Sequence, residues 1–328
     1  MGHPIADPGD RVHLDVRGVL STASVAAVTA LCQAAAEADG VYPLSEHVSL
    51  HLRYGGEGPD RNLLLSTADG TLAGYAHLDP TDAVAGPAAE IVVHPAYRRR
   101  GYGRRLVQAA EAEAEAGDGR LRLWAHGDHP AARALAVSLG YEEIRQLWQM
   151  RRSLYSPLPA VQLPPGITLR AFLPGRDDEA WLALNARAFH HHPEQGGWTL
   201  EDLHERMRES WFDPAGFLLA EDAESGPDGR HPLVAFHWTK VHGGESSTSG
   251  HGHDPIGEVY VVGVDPARTG HGLGRAVTVA GLQRMRSQGL TQAMLYVEAD
   301  NAPALAVYRG LGFTRWDTDV MFRRPQRR

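Results

Sequence analysis

The chain carries the stretch Val93-His94-Pro95-Ala96-Tyr97-Arg98-Arg99-Arg100-Gly101-Tyr102-Gly103-Arg104 and repeats it 171 positions later as Val264-Asp265-Pro266-Ala267-Arg268-Thr269-Gly270-His271-Gly272-Leu273-Gly274-Arg275, with six of the twelve pairs identical. A shorter match follows, in which Leu139-Gly140-Tyr141 corresponds to Leu311-Gly312-Phe313. Self-similarity at one long spacing is typical of a chain that repeats a structural unit. The sequence therefore predicts a tandem duplication.

Length and composition agree with two folded domains. The chain has 328 residues, and one domain averages about 150. Hydrophobic residues at 43% and charged residues at 22% are typical of a globular protein. A single cysteine, Cys32, excludes an internal disulfide and a Cys-rich zinc site. The net charge of -8 argues against broad binding to nucleic acid or to an anionic membrane.

The sequence also bears on location. Asp7, Asp10 and Asp15 precede any apolar run, which argues against a signal peptide. No run of about 18 apolar residues follows that could span a membrane. We therefore expect a cytoplasmic protein.

A proline-rich stretch near the middle of the chain predicts the domain boundary. Four prolines between residues 157 and 165 leave no helical or strand period, as in a stiff linker. The predicted division is an N-terminal domain over 10–153, a linker over 154–166 and a C-terminal domain over 167–325.

Strand and helix periods alternate within both copies, which predicts an α/β or α+β fold with one sheet per copy. In the first copy we predict a helix over 23–38, a hairpin over 62–66 and 71–77, a strand over 90–93, a helix over 103–116, a strand over 121–124, a helix over 130–139 and a strand over 147–151. In the second copy we predict a hairpin over 217–220 and 233–240, a strand over 258–264, a helix over 274–287, a strand over 293–298, a helix over 302–310 and a strand over 320–323.

The repeated stretch itself predicts a phosphate-binding loop. A strand ends in Val-x-Pro, a turn with glycines follows, and a helix begins. Glycines let backbone N–H groups approach an anion, and the helix N-terminus adds a partial positive charge. One such pattern is a weak signal, but its occurrence twice indicates a ligand that bears a pyrophosphate.

The pattern Arg98-Arg99-Arg100-Gly101-Tyr102-Gly103 resembles the acetyl-CoA pyrophosphate loop of the GNAT acetyltransferases. The resemblance implies tandem GNAT domains, each a mixed, mostly antiparallel sheet flanked by helices, with acetyl-CoA as co-substrate. The second copy departs from the pattern, because Thr269 stands in place of Arg98. The implied acetyl-CoA contacts are Ile91, Val92, Val93, Arg99, Arg100, Gly101, Tyr102, Gly103, Arg104, Val262, Gly263, Val264, Thr269, Gly270, His271, Gly272, Leu273, Gly274, Arg275, Asn301, Ala302, Pro303, Ala304, Leu305 and Ala306.

The two copies differ at the position where the family places a tyrosine against the CoA thiol. The second copy has Tyr308, whereas the first has Ala136, and His129 replaces Asn301. A departing thiolate benefits from a proton donor, which a phenol supplies and alanine does not. We therefore expect the second copy to be catalytic, and the first to bind acetyl-CoA without turnover or to be structural. Without the family pattern, Tyr308 would be interpreted as a core residue.

Glu258 is the candidate general base. It stands at the start of the predicted strand 258–264, where its carboxylate could face the cleft and deprotonate an amine directly or through water. The alternative interpretation is an exposed carboxylate at a strand end. A free backbone N–H where the strands separate would bind the tetrahedral oxyanion.

Longer stretches carry a second resemblance, at residues 39–46, 124–127, 149–152, 192–199, 236–242, 257–261 and 295–298. They resemble the mycothiol synthase subfamily of tandem GNAT enzymes. The resemblance implies acetylation of the cysteinyl α-amine of cysteinyl-glucosaminyl-inositol, which yields mycothiol and CoA. It implies that the acceptor contacts are Glu46, Glu194, Lys240, Glu258 and Tyr296.

Polar side chains of this kind suit a polyol acceptor. Lys240 is the only lysine of the chain. For Glu46, an alternative interpretation is a carboxylate that stabilises the start of a helix. A GNAT enzyme for another small amine and a non-catalytic acyl-CoA sensor remain open. We expect no metal, because the histidines at 190–192, 251 and 253 lack further ligands at metal-site spacing. A monomer is the simplest expectation.

Overall fold

A computed structural model describes residues 12–55, 58–82, 85–115, 120–224, 231–243 and 254–325. The chain forms two compact units. The first unit comprises Met1–Leu147 together with Asp317–Arg328, and the second comprises Trp148–Trp316.

The first unit is a mixed sheet with helices on both faces. Its strand order is β1-β2-β3-β4-β5-β12, with all neighbours antiparallel except β4 and β5. The elements are β1 (Val12–Arg17), α1 (Thr22–Asp39), α2 (Glu46–Tyr54), β2 (Arg61–Thr67), β3 (Leu72–Asp79), β4 (Ala88–Val93), α3 (Tyr102–Glu115), β5 (Arg122–Ala125), α4 (Pro130–Ser138), the start of β6 (Glu142–Ser153) and the end of β12 (Thr314–Arg323).

The second unit repeats this arrangement. Its strand order is β7-β8-β9-β10-β11-β6, and β10 runs parallel to β11. Its own elements are β7 (Ile167–Ala171), α5 (Asp178–Ala188), α6 (Pro193–Gly196), α7 (Leu200–Met207), β8 (Phe217–Asp222), β9 (Leu233–His242), β10 (Ile256–Val264), α8 (Leu273–Ser287), β11 (Gln292–Glu298) and α9 (Ala302–Gly310). The predicted fold class, mixed β-sheet flanked by helices, is confirmed in both units.

The alternation of side chains along β2 shows why both faces of the first sheet are covered. Leu63 and Leu65 point into a core with α3, whereas Leu64 points into a core with α1. Successive strand residues face opposite sides, so a run of apolar residues needs helices on both. In the second unit the largest buried side chains are aromatic, with Trp181 and Trp238 at the centre.

The last strand of each repeat ends in the other unit: β6 of the first repeat ends in the second unit, and β12 of the second repeat ends in the first. β12 pairs with β5 inside the first unit, Val320 opposite Ala125, and buries Val320 and Phe322 in that core. In the second unit, Met150 and Leu154 are buried in the core that contains β11. The units therefore differ at these two strands from the linear ranges 10–153 and 167–325. Strand periodicity predicts that a strand forms, but the edge with which it pairs depends on long-range hydrogen bonding.

Candidate functional site

Strand β10 leads into the candidate site. Its parallel pairing with β11 covers Gly257–Val259, whereas its pairing with β9 continues to Val264. β4 repeats this arrangement in the first unit, where the pairing with β5 covers Ala88–Glu90 and that with β3 continues to Val93. The ends of both strands thus extend beyond their parallel neighbours, as a strand that pairs with a ligand would require.

Each of these strands leads through a loop to a helix N-terminus. Gly270 and Gly272 have φ angles of 86° and 77°, in the region that favours glycine. Gly272 is the N-cap of α8 and supplies no side-chain cap. The first N–H groups of that helix therefore retain the partial charge that attracts anions. In the first unit Arg99 and Gly101 have φ angles of 65° and 83°.

The structure explains why threonine can replace arginine at the start of the second loop. Arg98 donates to the Val93 carbonyl at 3.1 Å and to both carboxylate oxygens of Asp39 at 2.7 Å. The guanidinium thus ties the loop to the end of α1 within the first unit. At the corresponding position the Thr269 hydroxyl donates to the Pro266 carbonyl at 3.0 Å. Both side chains hold the loop itself.

Several predicted phosphate ligands have side chains that are engaged elsewhere. Tyr102 and Leu273 are buried in hydrophobic cores, with 4% and 3% of their surface exposed. Arg104 donates to the Ser138 hydroxyl at 2.9 Å. For these residues the backbone N–H is the group that could meet a phosphate, and their predicted role stays a prediction.

Glu258 is buried, with 6% of its surface exposed, which excludes the interpretation as an exposed strand-end carboxylate. His242 Nε2 lies 2.5 Å from Glu258 Oε2, and Lys240 lies opposite Glu258 in the β9–β10 register. Burial alone would raise the pKa of Glu258. The hydrogen bond and positive charge of His242, together with the charge of Lys240, instead hold that pKa below its usual range. Glu258 is therefore a carboxylate at neutral pH.

Lys240 is held beside Glu258 by an aromatic wall. Its ammonium lies 4.8 Å from the ring centroid of Trp211 and 5.2 Å from that of Tyr260. Only 8% of Lys240 is exposed. Aromatic faces stabilise a cation that has lost much of its water. Arg206 Nε in turn donates to the Tyr260 hydroxyl at 2.9 Å, which fixes that ring.

Tyr308 lies on α9, partly buried, with its ring 5.9 Å from that of Phe313. Burial raises the pKa of Tyr308 to about 12, so its phenol stays protonated at neutral pH. Asn301 caps the same helix, because its Oδ1 accepts from Ala304 N at 3.1 Å. In the first unit, the residue in place of Tyr308 is Ala136, which is 3% exposed in the core.

The remaining predicted acceptor contacts lie on several elements. Tyr296 is 40% exposed on β11, and its hydroxyl accepts from Gln149 Nε2 at 2.8 Å. Glu46 is the first residue of α2 in the first unit, which agrees with a helix-start carboxylate. Glu194 belongs to the short helix α6, but its side chain lies outside the described residues.

The structure thus brings together Glu258, Lys240 and His242 on one face of the β9–β10 pair. Sequence reasoning missed His242 as a site residue. The available signal was its spacing, because residues two apart on a strand share a face and Lys240 precedes it by two. His251 and His253 lie outside the described residues.

Two further findings concern metals and membranes. Within the described ranges, no three His, Cys, Asp or Glu side chains are grouped so that they could hold a metal ion. None of the helices described there is both long and apolar enough to cross a bilayer.

Comparison with known proteins agrees with this architecture. The model of the acetyltransferase (GNAT) family matches residues 29–141 and again residues 180–313. The mycothiol acetyltransferase of Streptosporangium roseum is 55% identical, with 94% of this chain and 98% of the relative covered. The mycothiol acetyltransferase of Acidothermus cellulolyticus is 56% identical, with 95% of each chain covered.

Solved structures show the same fold. A GCN5-related N-acetyltransferase from Sphaerobacter thermophilus superposes with a TM-score of 0.66 at 26% identity and covers 96% of this chain and 97% of its own. A tandem GNAT protein from the clavulanic acid biosynthesis pathway gives a TM-score of 0.68 at 20% identity, with 96% of this chain and all of its own covered. This chain belongs to the GNAT acetyltransferase family, as a tandem acyltransferase grouped with the mycothiol acetyltransferases.

Proposed function

We propose that the chain transfers the acetyl group of acetyl-CoA to the cysteinyl α-amine of cysteinyl-glucosaminyl-inositol, giving mycothiol and CoA. The observation that carries the mechanism is the presence of two groups of opposite protonation state in the second unit: a buried, ionised Glu258 on β10 and a protonated, neutral phenol, Tyr308, on α9. Full-length relatives that are named mycothiol acetyltransferase support the choice of acceptor.

Acetyl-CoA binds along the end of β10 and the loop that follows it. The pantetheine arm pairs with the backbone of Val262–Val264, which extends beyond β11. The pyrophosphate meets the loop N–H groups between Thr269 and Arg275 and the N-terminus of α8. The backbone near the start of α9 lies along the thiol end, while Asn301 keeps that helix capped.

Glu258 serves as the general base. The α-amine of the acceptor has an ordinary pKa near 8, so it needs modest help to lose a proton. Its proton passes to a Glu258 carboxylate oxygen, directly or through one water. His242 donates to the other side of the carboxylate, and Lys240 supplies a positive charge, so both keep Glu258 ionised before the proton arrives.

The neutral amine nitrogen then attacks the thioester carbonyl. A C–N bond forms, and a backbone N–H at the open end of β10 binds the developing oxyanion. The C–S bond breaks as the intermediate collapses, and the thiolate takes the proton of the Tyr308 hydroxyl. The nitrogen, which carries a positive charge in the intermediate, gives its second proton to the Tyr308 phenolate through water, and Glu258 releases the proton that it accepted to solvent. The products are the N-acetylated acceptor and CoA.

The polyol part of the acceptor is held by polar side chains of the second unit. Lys240 donates to hydroxyls, and Tyr296 both donates and accepts. Because Lys240 and Tyr296 are ordered by aromatic and amide contacts, they lose little freedom on binding.

We assign the first unit to acetyl-CoA binding without turnover. Ala136 stands where the second unit has Tyr308, so a proton donor for the thiolate is missing at that position. The carboxylate of Glu90 on β4 already has partners within the first unit. Its Oε2 accepts from Ser45 N at 2.5 Å and lies 3.3 Å from His126 Nε2.

The test is CoA release by purified protein with acetyl-CoA and one of three amines: cysteinyl-glucosaminyl-inositol, free cysteine or an aminoglycoside. We expect turnover with the first alone, and a loss of at least about a hundredfold in kcat in Glu258→Gln. Glu221→Gln, a carboxylate on β8 of the same sheet, is the matched control and should retain kcat. If free cysteine is acetylated as fast as cysteinyl-glucosaminyl-inositol, the proposed acceptor is wrong. If the protein binds acetyl-CoA but turns over none of the three amines, the result favours an acyl-CoA sensor.

A further inference from the structure

A row of polar and aromatic side chains begins beside Glu258 on one face of the second-unit sheet. Glu258 on β10 is the register partner of Met294 on β11, so these two side chains point to the same face. Tyr296 follows Met294 by two residues and points to that face as well. The neighbouring residues Val259 and Leu295 are buried in the core that contains α8 and α9. The row therefore lies on the face opposite these two helices.

The row continues across β6 to the start of β12, within the second unit. Met150 is buried in the core with α8 and α9, so its neighbours Gln149 and Arg151 point to the opposite face. Gln149 Nε2 donates to the Tyr296 hydroxyl at 2.8 Å, and Arg151 Nε donates to Gln149 Oε1 at 2.9 Å. The guanidinium carbon of Arg151 lies 4.4 Å from the ring centroid of Trp316. Each side chain from Tyr296 to Trp316 is thus held by its neighbour.

The two aromatic side chains of this row are exposed. Tyr296 has 40% of its surface exposed, and Trp316 has 66%. Single exposed hydrophobic residues are common on protein surfaces, but these two lie on one face and are joined by hydrogen bonds and a cation–π contact. A ligand does not have to order a side chain that is already held in place, which lowers the cost of binding. The row therefore has the properties of a preformed binding surface.

The side chains of the row match the chemistry of a polyol ring. Such a ring carries C–H groups on its faces and hydroxyl groups around its edge. An aromatic face packs against the C–H groups, whereas phenol and amide groups form hydrogen bonds with the hydroxyl groups. Binding sites for small molecules commonly combine aromatic walls with a few polar groups in this way.

The position of Trp316 distinguishes between the two rings of the proposed acceptor. In the strand order β10-β11-β6-β12, one spacing is about 4.8 Å, so β12 lies about 14 Å from β10. The cysteinyl group of cysteinyl-glucosaminyl-inositol is attached to the glucosamine, and inositol is the ring farther from the reacting amine. With the amine at Glu258, the glucosamine lies near Tyr296 on the next strand, and the inositol lies farther along the row.

We propose that Trp316 forms the subsite for the inositol ring and thereby contributes to the choice of acceptor. Arg151 is a positioning residue, because its guanidinium holds the indole ring. The inference rests on the proposed acetylation of cysteinyl-glucosaminyl-inositol at Glu258, and it adds a contact with a part of the acceptor that does not react. A contact that is equally strong in the ground state and the transition state changes KM and leaves kcat unchanged.

The experiment compares two acceptors, cysteinyl-glucosaminyl-inositol and cysteinyl-glucosamine, which lacks the inositol. Steady-state assays give kcat and KM for the full-length wild type, Trp316→Ala and Trp316→Phe. We expect Trp316→Ala to raise KM about tenfold for the complete acceptor and to leave KM for cysteinyl-glucosamine unchanged. In the wild type, removal of the inositol from the acceptor should raise KM by a similar factor. Trp316→Phe keeps an aromatic face and should recover most of the loss.

Tyr155→Ala is the matched control, because Tyr155 is an aromatic residue of the same unit with 81% of its surface exposed. It should leave both KM values unchanged. Arg151→Met removes the guanidinium from the indole and should raise KM for the complete acceptor about threefold. If Arg151 acts through Trp316, Arg151→Met has no further effect in the Trp316→Ala background, whereas additive effects would refute its positioning role.

Equal rises in KM for both acceptors in Trp316→Ala would overturn the inference, because a contact with inositol cannot affect an acceptor that lacks it. A folded Trp316→Ala with wild-type KM for the complete acceptor would also overturn it and would leave the proposed function intact. In that case, a changed molar mass in light scattering would identify the row as a contact between copies of the chain. If the wild type acetylates neither acceptor, the proposed function fails and the inference fails with it.

Discussion

His126 lies between two carboxylates of the first unit, with Nδ1 3.0 Å from Asp319 Oδ2 and Nε2 3.3 Å from Glu90 Oε2. Both nitrogens donate only in the protonated ring, so we predict that the protein loses stability as the pH becomes alkaline. The perturbation is a change from pH 7 to pH 10, compared between the wild type and His126→Gln. His126 has a raised pKa in the folded state, about 10 against an ordinary value near 6.5. Its stabilisation is therefore fully present at low pH and is lost as pH rises through 10.

The two pKa values set the magnitude. One unit of pKa corresponds to about 1.4 kcal/mol, so the charged form of His126 contributes up to about 4 kcal/mol at pH 7 and less than about 1 kcal/mol at pH 10. Burial would raise the pKa of Glu90, but the hydrogen bonds of His126 and Ser45 hold it below its usual range, so Glu90 stays ionised in this window. Burial raises the pKa values of Cys32 and Tyr42 to about 12, and burial lowers that of His77 to about 4.

The assay is urea unfolding of both proteins between pH 7 and pH 10, followed by tryptophan fluorescence and circular dichroism. We expect the difference in unfolding free energy between wild type and variant to shrink by about 3 kcal/mol over the range. A difference that stays constant with pH would refute the protonated ring. If the two units unfold in separate steps, the comparison uses the unfolding free energy of the step whose midpoint changes in His126→Gln.

Three further predictions follow from other parts of the structure. Lys240→Met keeps the length of the stem but removes the ammonium from the aromatic wall, so KM for the acceptor should rise at least about tenfold; an unchanged KM in steady-state assays would exclude Lys240 from the site. Gly281→Ala places a Cβ 2.1 Å from Cε1 of the buried His237 ring, and differential scanning calorimetry should show a loss of about 1–3 kcal/mol, whereas an unchanged melting temperature would contradict this packing. Arg98→Thr removes the bidentate contact to Asp39, so hydrogen exchange should increase in the first loop and the end of α1 while kcat is retained; unchanged exchange would show that this contact does not order the loop.

The sequence was informative where local pattern determines structure. The helix predicted over 302–310 is observed as Ala302–Gly310, and the strand predicted over 258–264 lies within Ile256–Val264. Both follow from periodicity, and Asn301 caps the helix. The glycines of the two loops were also informative, because Gly101, Gly270 and Gly272 adopt the positive φ that a turn into a helix requires.

Contacts between distant segments could not be predicted in this way. The strand predicted over 320–323 formed, but its partner is β5 of the first unit, since pairing depends on which sheet edge is available. The hydrogen bond between His242 and Glu258 needs the β9–β10 register, in which Glu258 lies opposite Lys240. His126 and Asp319 are far apart in sequence, and only the placement of β12 brings them together.

The central claim is that acetyl transfer takes place in the second unit, with Tyr308 as the proton donor to the thiolate. The most direct measurement is CoA release at saturating acetyl-CoA and cysteinyl-glucosaminyl-inositol by Tyr308→Phe, with Tyr155→Phe, an exposed tyrosine of the same unit, as control. The account predicts a fall in kcat of at least about a hundredfold for Tyr308→Phe, unchanged KM for acetyl-CoA, and wild-type rates for the control. Wild-type kcat in Tyr308→Phe would contradict the account, because the thiolate would then take its proton from another group.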